Sequence, residues 1–401
     1  MSHTLSTPDF DFYPVTNTLI GVRIADGDVE VHWDDGSTSL LPGVWLREFS
    51  PDLGTIHPVT REQVIMLVDL PEDLRAADVR VLPDGRLRVT WHPEGLDSVY
   101  DPGWLWAHRP EARDVDSLPP RSLWADGEAP HREVTVVDGA AVRSGDDKAL
   151  GAWLTAIHVD GVGLIENLPQ DPEIVPDIPA RIGCLRNSNF GAIWEVESRP
   201  DADSNAFTDV ALPAHNDLCT REHMPGLQFL FCMHNSCEGG DSIFVDAYAV
   251  AEQLKAESAE SFEVLASVAV PFGTRNQDSD HRFHAPVLEL DATGELSTVR
   301  YTWWLRNPMS GDTATIKAFY AAFRRFQSLA NDPGNQRRLR LRPGDLAAFD
   351  NRRMLHGRTA FDTGSGRRWL RGCYGEREEL ESRLRMLARA ERQRLVERAA
   401  S

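Results

Sequence analysis

Residues 226–248 read GLQFLFCMHNSCEGGDSIFVDAY. GLQFLFCMH is a short apolar run bounded by a turn, which is the pattern of a buried strand. EGGDS is that turn. IFVDAY then leads into the helical stretch AVAEQLKAES. Working outward toward the C-terminus, TIKAFYAAFRRFQSLA is an amphipathic helix. RLRLRPGDLAAFD and RRWLRGCYG read as strands, and REELESRLRMLARAERQRLVERA closes the chain as a helix. On the N-terminal side, DKALGAWLTAI has helical spacing. Strands in this number, with helices as buttresses, predict a mainly β fold of the double-sheet jelly-roll kind. No repeat recurs at a fixed period.

The first hundred residues read differently. TLIGVRI and VEVHW are short alternating runs, the second followed by the turn DDGS. DVRVL and LRVTW flank PDGR. Two strand–DG–strand units are hairpin signals. Residues 109–130, RPEARDVDSLPPRSLWADGEAP, are rich in proline and charge and read as a linker. The expected division is a small β-rich domain over 1–115, a linker over 116–130 and a catalytic domain over 131–401.

Composition narrows the function. A chain of 401 residues exceeds one ordinary core, and 41% apolar content supplies packed ones. No apolar run approaches the roughly 18 residues that span a bilayer, so no membrane association is expected. The start, MSHTLSTPDFDFYPV, lacks the basic and apolar segments of a signal peptide. Five cysteines suit a reducing cytoplasm. A net charge of −20 repels phosphate backbones, which argues against nucleic acid and tolerates a cationic ligand.

Residues 213–219 read PAHNDLC, at what looks like the end of a strand. There, side chains at i and i+2 share a face, so His215 and Asp217 converge. A third donor must come from elsewhere. His356, in the polar turn after LAAFD and beside Gly357, is the candidate. Two histidines and one carboxylate leave open positions and suit non-haem Fe(II) and O₂ chemistry; a surface histidine near a capping Asp is the plainer alternative. In RRWLRGCY, Arg368, Leu370, Gly372 and Tyr374 share one face, while Arg367, Trp369, Arg371 and Cys373 share the other. A buried arginine here, about a dozen residues after the last ligand, would form a bidentate pair with a carboxylate, making the cosubstrate a dicarboxylate; an ordinary arginine on an exposed edge is the plainer alternative. Cys232, His234 and Cys237 form C-x-H-x₂-C, a zinc pattern without an evident fourth ligand, and read better as buried cysteines and a loop histidine; His281 and His284 read as solvated or structural, and Gly239–Gly240 as turn geometry.

HNDLC, PGLQFLFC, GGDSIFVDAY, GDLAAFDNRRMLHGR and RRWLRGCY occur in that order. Together they resemble the γ-butyrobetaine hydroxylase and trimethyllysine hydroxylase group of the taurine-dioxygenase superfamily, over most of residues 175–395. The resemblance implies a double-stranded β-helix and a 2-oxoglutarate-dependent non-haem iron dioxygenase. It assigns Fe(II) to His215, Asp217 and His356 and the distal carboxylate of 2-oxoglutarate to Arg368. It also brings O₂ as cosubstrate and ascorbate as a stimulant. Halogenating relatives lack the carboxylate at Asp217, so its presence implies hydroxylation.

The same resemblance places an aromatic cage for a trimethylammonium head at Phe190, Trp194, Phe207 and Tyr374, where cation–π attraction would act; core packing is the plainer reading. In VRYTWWLRN, Trp303 or Trp304 stands where the betaine hydroxylase carries carboxylate-binding asparagines. Only one can enter the pocket, and we assign Trp303. The tail site is therefore altered. The expected substrate is a small quaternary or methylated amine related to betaines. The alternatives are a specialised-metabolism oxygenase acting on a larger, more apolar molecule and a non-catalytic binding protein. LLPGVWLREFS extends the likeness into the N-terminal domain, which in relatives helps dimerisation, so a homodimer is expected. Relatives continue that segment with zinc-binding cysteines. This chain has REFSPDLGTIHP and no cysteine before Cys184, so a thiolate-rich zinc site is not expected.

Overall fold

The computed structural model describes residues 5–112, 118–125, 127–198, 208–276 and 279–400, with the side chains of the last helix as far as Arg394. The chain divides into two compact units, Met1–Ser117 with Ala388–Ser401, and Leu118–Leu387. The last helix thus contributes its final turns to the first unit.

In the first unit, β1 (Leu19–Ala25), β2 (Asp28–Trp33) and β3 (Thr38–Leu41) form one antiparallel sheet. After α1 (Gly43–Glu48), β4 (Arg75–Val81), β5 (Leu87–His92) and β6 (Asp97–Tyr100) form a second. Alternation sets the buried faces: Val29, Val31 and Trp33 in β2, and Leu87, Val89 and Trp91 in β5. They share one core with Leu46 of α1 and Trp104 and Leu105 of α2 (Pro102–His108). Asp101 caps α2 by accepting from the Trp104 N–H, with Pro102 at its first position.

A buried polar network lies beside that core. The Trp91 indole donates to Ser98 (2.9 Å), whose hydroxyl lies 2.5 Å from that of Ser50. Ser50 and Thr55 donate to Oδ2 of Asp52 at 2.5 and 3.1 Å, and the Gly54 N–H donates to Oδ1 at 2.8 Å. Arg47 donates to Thr55 at 2.6 Å and forks onto Glu94 at 2.7 and 2.9 Å.

The second unit runs β7 (Val136–Asp138), α3 (Gly139–Ser144), α4 (Asp147–Asp160), β8 (Val162–Glu166), β9 (Ile193–Glu197), β10 (Leu212–His215), β11 (Leu227–Asn235) and β12 (Ser242–Asp246). It continues α5 (Ala247–Glu257), α6 (Ala259–Ser267), β13 (Val270–Arg275), β14 (Asp280–Ala285), β15 (Leu288–Leu290), β16 (Leu296–Val299) and α7 (Thr313–Ala330). It ends with β17 (Arg337–Leu339), β18 (Leu346–Asp350), β19 (Met354–Arg358), β20 (Arg368–Gly375) and the part of α8 (Arg377–Ala400) up to Leu387. A six-stranded sheet has the order β7-β8-β18-β11-β20-β9, and a four-stranded sheet the order β10-β19-β12-β17.

The two sheets face each other. Phe244 of the smaller meets Phe349 of the larger at 5.2 Å between ring centroids, in a cluster with Leu230, Cys232, Leu370 and Met354. On its outer face the larger sheet packs Phe229, Phe231 and Ala348 against Trp153, Leu154 and Ile157 of α4. Ile243, Val245 and Leu355 of the smaller sheet pack against α5, α6 and α7. β11 is therefore covered on both sides, which explains an apolar residue at nearly every position of GLQFLFCMH. The unit is a mix of sheets and helices in which strands carry the inner core. No described helix is long and apolar enough to cross a membrane.

Candidate metal centre

β10 and β19 lie side by side, and their register sets His215 directly opposite His356. Their ring centroids are 4.4 Å apart. His356 is thus a strand residue, not the turn residue expected. Gly357 makes the approach possible: a Cβ there would sit 2.5 Å from the Leu212 carbonyl oxygen.

Asp217 arrives by another route. β10 ends at His215, so the strand pleat does not place Asp217. Two buried asparagines do. Asn216 donates to the carbonyls of Asn351 (2.6 Å) and Met354 (3.2 Å) and accepts from the Tyr301 N–H (2.9 Å). The Asp217 N–H donates to Asn351 Oδ1 (2.9 Å), and Asn351 donates back to the Asp217 carbonyl (3.2 Å). Leu218 then takes a left-handed φ of 56° as the chain turns away.

One donor atom from each of His215, Asp217 and His356 lies within 4.8 Å of the other two. Nδ1 of His215 donates to the Pro213 carbonyl at 3.0 Å, so Nε2 keeps its lone pair, 3.3 Å from Asp217 Oδ1. Nε2 of His356 lies 3.8 Å from Asp217 Oδ2. Burial, then the neighbouring His215, push His356 down to about 3. Burial works to raise Asp217, but the facing His356 and His215 outweigh it and hold the carboxyl well below the usual range. Nδ1 of His356 and Oε1 of the adjacent Gln228 are buried without a hydrogen-bond partner. Gln228 Nε2 donates to His356 Nε2 at 3.4 Å and the Tyr374 hydroxyl to Asp217 Oδ2 at 2.8 Å; two imidazole nitrogens and an ionised carboxylate converging in this way fit a non-haem Fe(II) ion with positions left open. Among the described residues this is the only such group of three or more donors. Cys232 and Cys237 are buried apart from it, and His234 pairs with Ser236.

On β20, Arg368, Leu370, Gly372 and Tyr374 are buried, while Trp369 and Arg371 are half-buried. Arg367 pairs with Glu197 and Arg371 with Glu195. Arg368 donates to the Gly240 carbonyl (3.1 Å) and has no ion pair among the described residues. The Gly239–Gly240 turn is also its seat, since a Cβ on Gly240 would lie 2.9 Å from Arg368 Cδ. A second buried cation stands near: burial, then Arg368, push Arg358 down to about 10. Two buried guanidinium groups in one place favour an anion between or beside them. Arg358 went unnoticed in the sequence, although it stands two residues after His356.

A cavity of about 490 Å³ has His215 and Asp217 in its wall, with Phe190, Trp194, Tyr374 and Trp304. Phe207 lies outside the described residues. Trp303 does not line the cavity. It is 37% exposed and packs edge-on against Trp304. Trp304 instead meets His215 at 4.7 Å. The expectation erred because residues 301–305 are not a strand, so strand parity does not sort them. Trp194 lies 5.2 Å from Tyr374, over Gly372, where a Cβ would come within 2.2 Å of the indole. Arg221 and His281 also line the cavity. Arg221 contacts His281 Nδ1 (2.8 Å) and Asn189 Oδ1 (2.7 Å) and no carboxylate among the described residues. Nε2 of His281 is buried and unpartnered.

Residues 127–374 match the family model described as taurine catabolism dioxygenase TauD, TfdA family. A gamma-butyrobetaine dioxygenase of Pseudomonas sp. (strain AK-1) is 39% identical over 385 residues, covering 95% of this chain and 99% of that protein. Dioxygenase str8 of Strobilurus tenacellus is 32% identical over 367 residues, covering 86% and 85%. A trimethyllysine dioxygenase of Meyerozyma guilliermondii is 28% identical over 379 residues, covering 90% and 94%.

Proposed function

The chain belongs to the taurine catabolism dioxygenase TauD, TfdA family and is an Fe(II)- and 2-oxoglutarate-dependent dioxygenase; on that premise we propose that it hydroxylates an aliphatic C–H bond of a small molecule carrying a methylated, positively charged nitrogen. The two facing sheets of the second unit are read as a double-stranded β-helix that holds the site between them. His215, Asp217 and His356 hold the iron, and Arg368, with Arg358 near it, takes the distal carboxylate of 2-oxoglutarate. Iron with 2-oxoglutarate and O₂ supplies the oxidising power for C–H hydroxylation. The protein's part is placement and exclusion of water.

One observation carries the substrate reading. The aromatic surfaces of Phe190, Trp194 and Tyr374 share a cavity with His215 and Asp217. A cation held by ring faces would present its neighbouring carbons to the metal. Arg221, with no described carboxylate partner, suits an anionic group on the same substrate, which makes the molecule betaine-like. The relatives named for gamma-butyrobetaine and trimethyllysine agree with that charge pattern. Succinate release and product mass, measured over a panel of betaines and their neutral tert-butyl isosteres, test it. Cations should be turned over and bind distinctly better. Equal binding of the isosteres would favour a larger, more apolar substrate, a reading that the indole of Trp304 in the wall supports.

We place the enzyme in the cytoplasm, where its five unpaired cysteines would stay reduced. A homodimer through the first unit is the assembly we infer, and the exposed Val59, Met66, Leu67 and Val68 support it. A monomeric mass in solution would remove that inference.

A further inference from the structure

We propose that Tyr374 is a positioning residue that ties the aromatic wall of the cavity to the metal centre. Its hydroxyl reserves one oxygen of Asp217 and leaves the other for the ion. The proposal rests on the reading of His215, Asp217 and His356 as the iron site. It goes beyond a role for Tyr374 as an aromatic surface.

Three features carry it. The Tyr374 hydroxyl donates to Asp217 Oδ2 at 2.8 Å, an oxygen 3.8 Å from His356 Nε2, while Oδ1 lies closer to its histidine, 3.3 Å from His215 Nε2. The two carboxylate oxygens therefore have different occupations. Chelation through both would compete with the Tyr374 hydrogen bond for Oδ2 and take a coordination position that cosubstrate or O₂ would use. Next, Tyr374 cannot drift. It is almost fully buried, pairs across the sheet with Gln228, and its carbonyl accepts from the Arg186 N–H at 2.9 Å. Finally, its ring packs against Trp194, which reaches that place only because position 372 is glycine. A molecule pressing on the Trp194–Tyr374 surface thus touches the residue that aims a metal ligand.

Tyr374→Phe keeps the ring and removes the hydroxyl. Co(II) is the probe, bound to the purified full-length protein and read by calorimetry and visible absorption without substrate. The expected result is a Kd for Co(II) raised about 10-fold, the lower end for loss of a group that orients a ligand. The Co(II) absorption should weaken as Asp217 swings to two-oxygen binding. With iron, the ratio of succinate to hydroxylated product should rise. Tyr374→Leu should match Tyr374→Phe in Co(II) binding. Co(II) affinity and spectrum unchanged in Tyr374→Phe overturn the proposal. So does a weaker Kd with an unchanged spectrum and unchanged product ratio, which would be general loosening. Failure of the triad reading itself looks different: Co(II) binding would survive Asp217→Ala. The substrate reading is not engaged by the substrate-free arms.

Discussion

Each unit holds a buried cluster of polar side chains, and the two are finished differently. In the first unit, Asp52 accepts from Ser50, Thr55 and Gly54, and Arg47 forks onto Glu94. In the second, one donor atom each of His215, Asp217 and His356 lies within 4.8 Å of the other two, and His356 Nδ1 and Gln228 Oε1 have no partner. A closed network stabilises its fold. An open one costs stability, because a buried polar group without a partner forfeits about 1–3 kcal/mol. A bound ligand that engages the cluster offsets part of that cost. Unpartnered buried atoms such as Arg61 Nε and Tyr301 Oη occur elsewhere, so it is the convergence of three metal-type donors with such atoms that marks the second cluster as a binding site.

The sharpest way to break this contrast is to remove a member of the open cluster. His356→Ala should lower turnover by more than about 100-fold, beyond the range for orienting groups, and abolish stoichiometric iron. The fold should survive, because the ring lost has one long side-chain hydrogen bond, 3.4 Å from Gln228, and an unpartnered Nδ1. Near-normal iron content and activity in this variant would make the triad a chance grouping.

Arg368→Ala comes next. Loss of a charge-assisted pair in a closed site costs about 2–5 kcal/mol, read as a raised 2-oxoglutarate requirement with metal affinity nearly unchanged. Arg367→Ala and Arg371→Ala should do far less, since both side chains already have glutamate partners on β9. The opposite ranking would mean that the wrong strand face was chosen.

The closed cluster should answer in stability. Asp52→Ala leaves two hydroxyls and an N–H without their acceptor and should cost about 1–3 kcal/mol, seen as earlier thermal unfolding with iron affinity unchanged. A chelator should leave the unfolding of the first unit unmoved. One tightly held zinc per chain that persists when the triad is mutated would show that hydrogen bonds alone do not complete this region.

The smallest effect belongs to the cavity wall. Trp194→Leu should weaken binding of a methylated cation by about 0.5–2 kcal/mol, more than it alters uncoupled 2-oxoglutarate turnover. Equal loss for the cation and its tert-butyl isostere would reduce the rings to an apolar surface.

Much of the architecture was legible because period-2 and period-3.6 patterns are local. VEVHW and LRVTW alternate, and their alternate residues are buried. GLQFLFCMH does not alternate, and it lies at the centre of a covered sheet. In RRWLRGCY, parity separated Arg368 and Tyr374 from Arg367 and Arg371, because β20 is a regular strand. The same rule failed at Trp303 and Trp304, where the backbone is irregular. It also gave the wrong reason at Asp217, which lies beyond the end of β10. Arg221 and His281, sixty residues apart, and Asn216 and Asn351, farther still, meet only through the fold. Nothing in their flanking residues marks them.

The sequence by itself determined the elements, the strand faces and the kinds of donor available, since these follow from side-chain chemistry and residue spacing along the chain. Tertiary structure alone decided which donors are left unsatisfied. That property depends on what every other segment brings within hydrogen-bond reach: Asn351 to hold the Asp217 turn, Gly357 to let two histidine strands close, and Tyr374 to occupy one oxygen of the carboxylate.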